Sequence, residues 1–145
     1  MESAEGESCE GGTMARRELP RPTEAELAIL RVLWSEGPST VRRVQEVMSR
    51  TQPTGYTTVL KLLQIMTEKG LVLRDESQRS HVYRASRSEA RTQEQLVGDL
   101  LERAFGGSAL KLVMQALASR RASAEELAEI RTLIERLERE RGGES

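Results

Sequence analysis

Gly37-Pro38, then Pro53 with Gly55, then Gly70 divide residues 21–70 into three stretches, each long enough for one short helix and no more. Thr23-Glu24-Ala25-Glu26, following Pro20 and Pro22, is a capping-box pattern that starts the first helix. Leu27, Leu30 and Trp34 recur there at helical spacing, and Ile29, Val32 and Leu33 widen the apolar face, so this helix is buried on more than one side. Ser39 and Thr40 form a short extended link or cap the next helix. That second helix is predicted over 41–50, with Val41, Val44, Val47 and Met48 inward and Arg42, Arg43, Glu46 and Arg50 outward. The turn at 51–55 offers Thr54 as N-cap for a third helix over 56–69. Its inward face is Val59, Leu62, Leu63 and Met66, an i, i+3, i+4, i+7 set, and Gly70 stands where a left-handed C-terminal residue belongs.

Two short β-type segments come next, 71–74 and 81–84, joined by a polar turn over 75–80 that holds Arg79. Three helices and then a hairpin is the order of a winged helix-turn-helix. The predicted fold is therefore mainly α with a small β-hairpin wing, followed by a three-helix C-terminal dimerisation region. The division expected is a disordered, Gly/Ser/Glu-rich tail at 1–20, a winged-helix domain at 21–87 and a helical domain at 88–145. Met14 in the tail is a second candidate start codon. Cys9, beside Glu7 and Glu10, reads as an incidental exposed thiol.

Composition removes several function classes. The longest apolar run is four residues, 27–30, too short for a membrane-spanning helix or a signal-peptide core, so no membrane insertion and a cytoplasmic location are expected. One cysteine and one histidine supply neither a disulfide framework nor a Cys/His zinc site, so no metal and no cofactor are expected. His81 has no nucleophile, base and orienter set around it in the sequence, and it reads as packing or a DNA-backbone contact; no enzyme is expected.

Taken as a single sum, the net charge of −1 argues against a polyanion partner, but the charge is unevenly placed. Residues 21–87 carry eleven basic and seven acidic groups, while 1–20 carry two and five and 88–145 carry nine and eleven. Beyond about 10 Å exposed charges are screened at physiological salt, so the local surplus is what a nucleic acid meets. The outward face of the third helix holds Thr57, Lys61, Gln64 and Glu68, with Thr58 on one flank. Small hydroxyl residues on a first turn let a helix N-terminus approach a duplex, where unpaired N–H groups favour phosphate and Thr groups meet base edges. The candidate DNA-binding residues are Thr40, Arg42, Arg43, Thr54, Tyr56, Thr57, Thr58, Lys61 and Arg79. Arg42 and Arg43 set register on the backbone, and Arg79 at the wing turn reaches the neighbouring groove. The alternative is a winged-helix protein–protein interaction module that does not bind DNA, its basic face covered by an acidic partner.

The segments TEAELAILRVLW at 23–34, GPSTVRRVQEVM at 37–48, YTTVLKLLQIMTEKGLV at 56–72 and RSHVYRAS at 79–86 carry a resemblance to the penicillinase-repressor (BlaI/MecI) family. It continues more weakly through the C-terminal helices. The resemblance implies a repressor that binds double-stranded operator DNA as a homodimer, one winged helix on each half of a palindrome. It also implies induction by cleavage within the C-terminal region by a membrane-linked metallopeptidase sensor. The Asn-Phe pair cut in well-known members falls at Gln115-Ala116 here, so that cleavage specificity does not carry over. Similar proteins carry arginine where this chain has Ile65, and Gly-Arg where it has Gln78-Arg79. The cysteine-rich copper motif of CopY-like relatives is absent from the C-terminus.

From Ser88 onward the pattern is helical. Leu96, Val97, Leu100, Leu101, Ala104 and Phe105 form one stripe, ended by Gly106-Gly107. Ser108 caps a helix with Leu110, Val113, Met114 and Leu117 inward. Ser123-Ala124-Glu125-Glu126 is a second capping box, opening a helix with Leu127, Ile130, Ile134 and Leu137 on one side. Each helix has a single stripe and little of its own to bury it against; a second copy of the chain is expected to supply the missing surface, the alternative being a monomer whose helices pack back on the winged helix. Leu100, Leu101, Phe105, Leu110, Val113, Met114, Leu117, Leu127, Ile130, Ile134 and Leu137 are the candidate dimerisation residues.

Overall fold

The computed structural model describes residues 20–144. The expected tail, with Cys9 and Met14, lies outside the described residues except for Pro20. The chain divides into two compact units, one through Val97 and one from Gly98.

Among the described residues the first unit opens with α1 (Glu24–Glu36), started by the capping box read from the sequence. Thr23 Oγ1 accepts from the Glu26 N–H at 3.2 Å, and the Glu26 carboxylate accepts from the Thr23 N–H at 2.9 Å. Gly37, at φ 85°, ends the helix in a backbone region that favours glycine. Ser39–Thr40 forms β1, and Thr40 also caps α2 (Val41–Met48), its Oγ1 accepting from the Arg43 N–H at 3.1 Å. The pair after the glycine-proline break thus serves as both link and cap. α2 ends two residues before the predicted position, where the chain turns toward α3 (Tyr56–Lys69). α3 closes as read: Gly70 is left-handed at φ 83°, and the Leu71 N–H donates back to Met66 O at 2.9 Å. That bond keeps Leu71 in the cap, so β2 (Val72–Asp75) starts one residue later than expected, and β3 (Val82–Ala85) shifts with it.

The sheet is antiparallel, in the order β1-β3-β2, with Tyr83 opposite Ser39 on one side and Arg74 on the other. Side chains from all three helices and the sheet meet in one core: Ile29, Leu30 and Leu33, then Val44, then Val59, Leu63 and Met66, then Val72 and Tyr83. This is the winged helix-turn-helix expected from the order of elements, and the mainly helical fold class holds.

A carboxylate is also withdrawn from solvent, outside that apolar cluster. Glu26 is 2% exposed, and its Oε2 accepts from Lys69 Nζ at 2.7 Å, joining the start of α1 to the end of α3. Burial alone pushes the carboxyl up, but the Lys69 ammonium and the Thr23 donors hold it below the ordinary carboxylate value.

α4 (Glu89–Ala104) begins within the first unit and continues into the second. Thr92 in its first turn is buried, and just ahead of the helix Trp34 Nε1 donates to Arg87 O at 3.0 Å. The two units divide within α4, between Val97 and Gly98.

The second unit completes α4 and adds α5 (Ala109–Ser119) and α6 (Ala124–Glu144). Ser108 caps α5, and Ser123 and Glu126 form the reciprocal bonds of the second capping box, both at 3.0 Å. No described residue from 98 on is fully buried. Leu110 is 68% and Met114 60% exposed, and Leu100, Val113, Leu117, Leu127, Ile134 and Leu137 are all exposed. Leu101, Phe105 and Ile130 are half-buried. Val97 and Leu133, outside the candidate dimerisation set, are exposed apolar residues as well.

Candidate nucleic-acid interface

The turn before α3 is fastened from α2. Thr54 O accepts from Gln45 Nε2 at 3.1 Å and from Ser49 Oγ at 3.2 Å, while the Thr54 N–H donates to Ser49 Oγ at 3.3 Å. This corrects the expected cap. Thr54 Oγ1 donates back to Gln52 O at 2.8 Å, so the N-cap is Gly55 and no side chain accepts from the first-turn N–H groups of α3. Those groups point outward with the positive end of the helix dipole.

Beyond that turn, Thr57, Thr58, Lys61, Gln64 and Glu68 lie exposed along α3, as the helical wheel requires. Tyr56, the first residue of the helix, is 46% exposed. Beside it an open groove of about 410 Å³ runs between the helix-turn-helix and the wing. Thr40 and Arg42 from the start of α2, Tyr56 from α3, and Arg79 from the wing turn all line it. Ser80, His81 and Tyr83 complete the wing side.

Arg42 and Arg43 part company. Adjacent helical residues diverge by about 100°, and only Arg42 faces the groove. Arg43 turns to Glu36 at 2.8 Å and Glu46 at 3.8 Å. By contrast, Arg42, Lys61 and Arg79 have no carboxylate partner among the described residues. Sequence reasoning placed Arg42 and Arg43 together because Glu36 lies across the glycine-proline turn, a contact that helical periodicity does not register.

The wing turn is ordered by its own acids. The Asp75 carboxylate accepts from the Ser77 N–H at 2.9 Å, and this bond holds its carboxyl below the ordinary range. Arg74 pairs with Glu76 at 2.6 Å; hydrogen bonding to Tyr83 and then Glu76 raises its already high pKa. Arg79 at the tip is exposed. No group of three or more metal-ligating side chains occurs among the described residues. No described helix is long and apolar enough to cross a membrane.

The site thus gathers Thr40, Arg42, Tyr56 and Arg79 on one groove, with Thr57, Thr58 and Lys61 continuing along α3. Thr54 acts through its backbone in the turn, and Arg43 stands apart in its ion pairs. Ser80 and His81 line the groove although neither is among the site residues picked from the sequence. His81 reads there only as packing or a backbone contact, since a lone exposed histidine at a strand end has no periodic signature.

The penicillinase repressor family model matches residues 22–136. The chain belongs to the penicillinase repressor family. This is a family of transcriptional repressors rather than enzymes. The transcriptional regulator BlaI of Mycobacterium tuberculosis, from strains CDC 1551/Oshkosh and ATCC 25618/H37Rv, is 41% identical over 66 residues in each case. That match covers 45% of this chain and 48% of theirs, so the chain spans about half the length of the curated relatives it matches. Among solved structures, it is similar to the DNA-binding domain of the repressor BlaI and to monomeric Bacillus licheniformis BlaI in complex with the blaP half-operator. Both are 23% identical, with a TM-score of 0.45, covering 50% of this chain and 89% of theirs. A MarR family protein from Bacillus stearothermophilus is 21% identical, with a TM-score of 0.44, covering 83% of this chain and 75% of that one.

Proposed function

We propose that this member of the family represses transcription by binding double-stranded operator DNA as a homodimer, each winged helix on one half of a palindromic site. The observation that carries this reading is the convergence of Arg42, Tyr56 and Arg79, from three elements, on one open groove beside the uncapped N-terminus of α3. In this reading residues 21–87 are the DNA-binding domain. Thr57, Thr58 and Lys61 enter the major groove, Tyr56 and Arg42 hold backbone phosphate, and Arg79 reaches across from the wing. Thr40 and Thr54 position the two helices through their cap and turn bonds. Arg43 joins the contact by exchanging Glu36 for phosphate.

Residues 88–145 are the dimerisation domain in the same reading. Its support is the row of apolar side chains on α4, α5 and α6 that one copy leaves exposed. Two heads about 34–36 Å apart on a two-fold axis meet successive faces of a palindrome. The resemblance adds relief by a membrane-linked metallopeptidase sensor that cuts the C-terminal region, with this chain acting in the cytoplasm.

Titrating duplex DNA from upstream of the protein's own gene, at several salt concentrations, tests the reading. Lys61→Ala and Arg79→Ala are each expected to weaken binding and to flatten the salt dependence by about one unit of slope. Unchanged binding in both variants removes these sites. A wild-type chain that shows no salt-dependent binding replaces the DNA reading with the protein–protein module.

A further inference from the structure

The groove between α3 and the wing holds a histidine that the sequence reads as packing or a backbone contact and to which the proposed function gives no part. We propose that His81 is a proton-dependent phosphate contact, so that binding of a DNA backbone at this groove takes up a proton. The inference rests on the DNA-binding reading and adds to it a ligand atom and a control variable.

Three observations support it. First, His81 is exposed and lines the same groove as Arg42, Tyr56 and Arg79, immediately beside the wing tip. A phosphodiester drawn in by the two guanidinium groups enters the same groove that the imidazole lines. Second, the acids of the wing are already engaged. Asp75, whose neighbour across the sheet is Val82, has its carboxylate on the Ser77 N–H at 2.9 Å, and Glu76 is paired with Arg74 at 2.6 Å. The other titratable groups lining the groove are Arg42 from α2, Tyr56 from α3, Arg79 from the turn and Tyr83 from β3, and none of them is a carboxylate. Third, His81 is the only histidine in the chain. Histidine is the side chain whose ordinary charge change falls between pH 5 and 8.

The coupling is reciprocal. A phosphate interacts more favourably with an imidazolium than with a neutral imidazole, so phosphate binding favours protonation, and protonation favours binding by the same factor. Affinity is then higher at pH 6 than at pH 8, and one more phosphate contact is counted at the lower pH. A neutral side chain at 81 removes the effect, and a permanently charged one fixes it in the tight-binding state. Because His81 is exposed, neither change disturbs the core.

The test is fluorescence anisotropy of the full chain with a labelled mixed-sequence duplex, at pH 6 and pH 8, over a range of salt. The comparison is between wild type, His81→Gln and His81→Arg, with circular dichroism confirming the same fold at both pH values. Wild type is expected to bind about tenfold tighter at pH 6 than at pH 8, with a salt slope steeper by about one unit. His81→Gln is expected to lose most of that difference, and His81→Arg to bind tightly at both pH values. Equal pH dependence in wild type and His81→Gln overturns the proposal while salt-dependent binding leaves the DNA reading standing. Absence of salt-dependent binding in wild type at either pH overturns the DNA reading itself.

Discussion

Glu26 shows how one residue serves two helices. Its carboxylate is at once the acidic half of a capping box and the partner of Lys69, so a single side chain starts α1 and ties it to the end of α3. Lys69→Met leaves that carboxylate buried without its cation and is expected to cost about 3 kcal/mol in urea unfolding at neutral pH. Glu26→Gln keeps the shape and is expected to cost about 2 kcal/mol, the value of charge-assisted hydrogen bonds. The pH dependence has a fixed sign. The folded protein holds the carboxyl below its ordinary value of 4.5, so the unfolded chain binds the proton first. The stabilisation is complete above that value and is lost as pH falls through the folded-state value. Stability measured from pH 7 downward therefore falls faster in wild type than in Glu26→Gln, and the two curves converge in acid.

At the scale of elements, the turn between α2 and α3 sets how the recognition helix enters. Ser49 alone both gives and receives a hydrogen bond with the Thr54 backbone, and Gln45 adds a second donor to the same carbonyl. Ser49→Ala is expected to reduce stability by about 1 kcal/mol and to speed amide exchange at Thr54, with Gln45 keeping the turn partly in place. That clamp also marks where sequence reasoning stops. The caps at Thr23, Ser108 and Ser123 and the left-handed Gly70 are legible in the sequence because each is settled within four residues. Thr54 resembles a cap by the same local rule, but a neighbouring helix has claimed its backbone. The Lys61 face of α3 comes from periodicity. The pairing of Arg43 with Glu36, and of Glu26 with Lys69 across 43 residues, depends on how helices stack, and a pattern along the chain carries no record of that.

For the whole molecule, the two units have opposite characters. The winged helix has a closed core and a net basic sequence, whereas the C-terminal unit is net acidic and leaves its apolar faces open. Replacing both Met114 and Leu117 with glutamate puts two charges per chain where the proposed partner helix packs. Dimer dissociation, measured by sedimentation equilibrium, is expected to become at least about 100-fold easier, and the melting temperature to lose its dependence on protein concentration. Far-UV dichroism of the diluted variant should retain the winged-helix signal, since that core is built within one chain. The chain's single tryptophan, Trp34, lies against that core with its indole N–H on the Arg87 carbonyl, wholly inside the first unit. Its emission is therefore a private reporter: it follows the opening of the winged helix alone, where calorimetry sums the heat of both units.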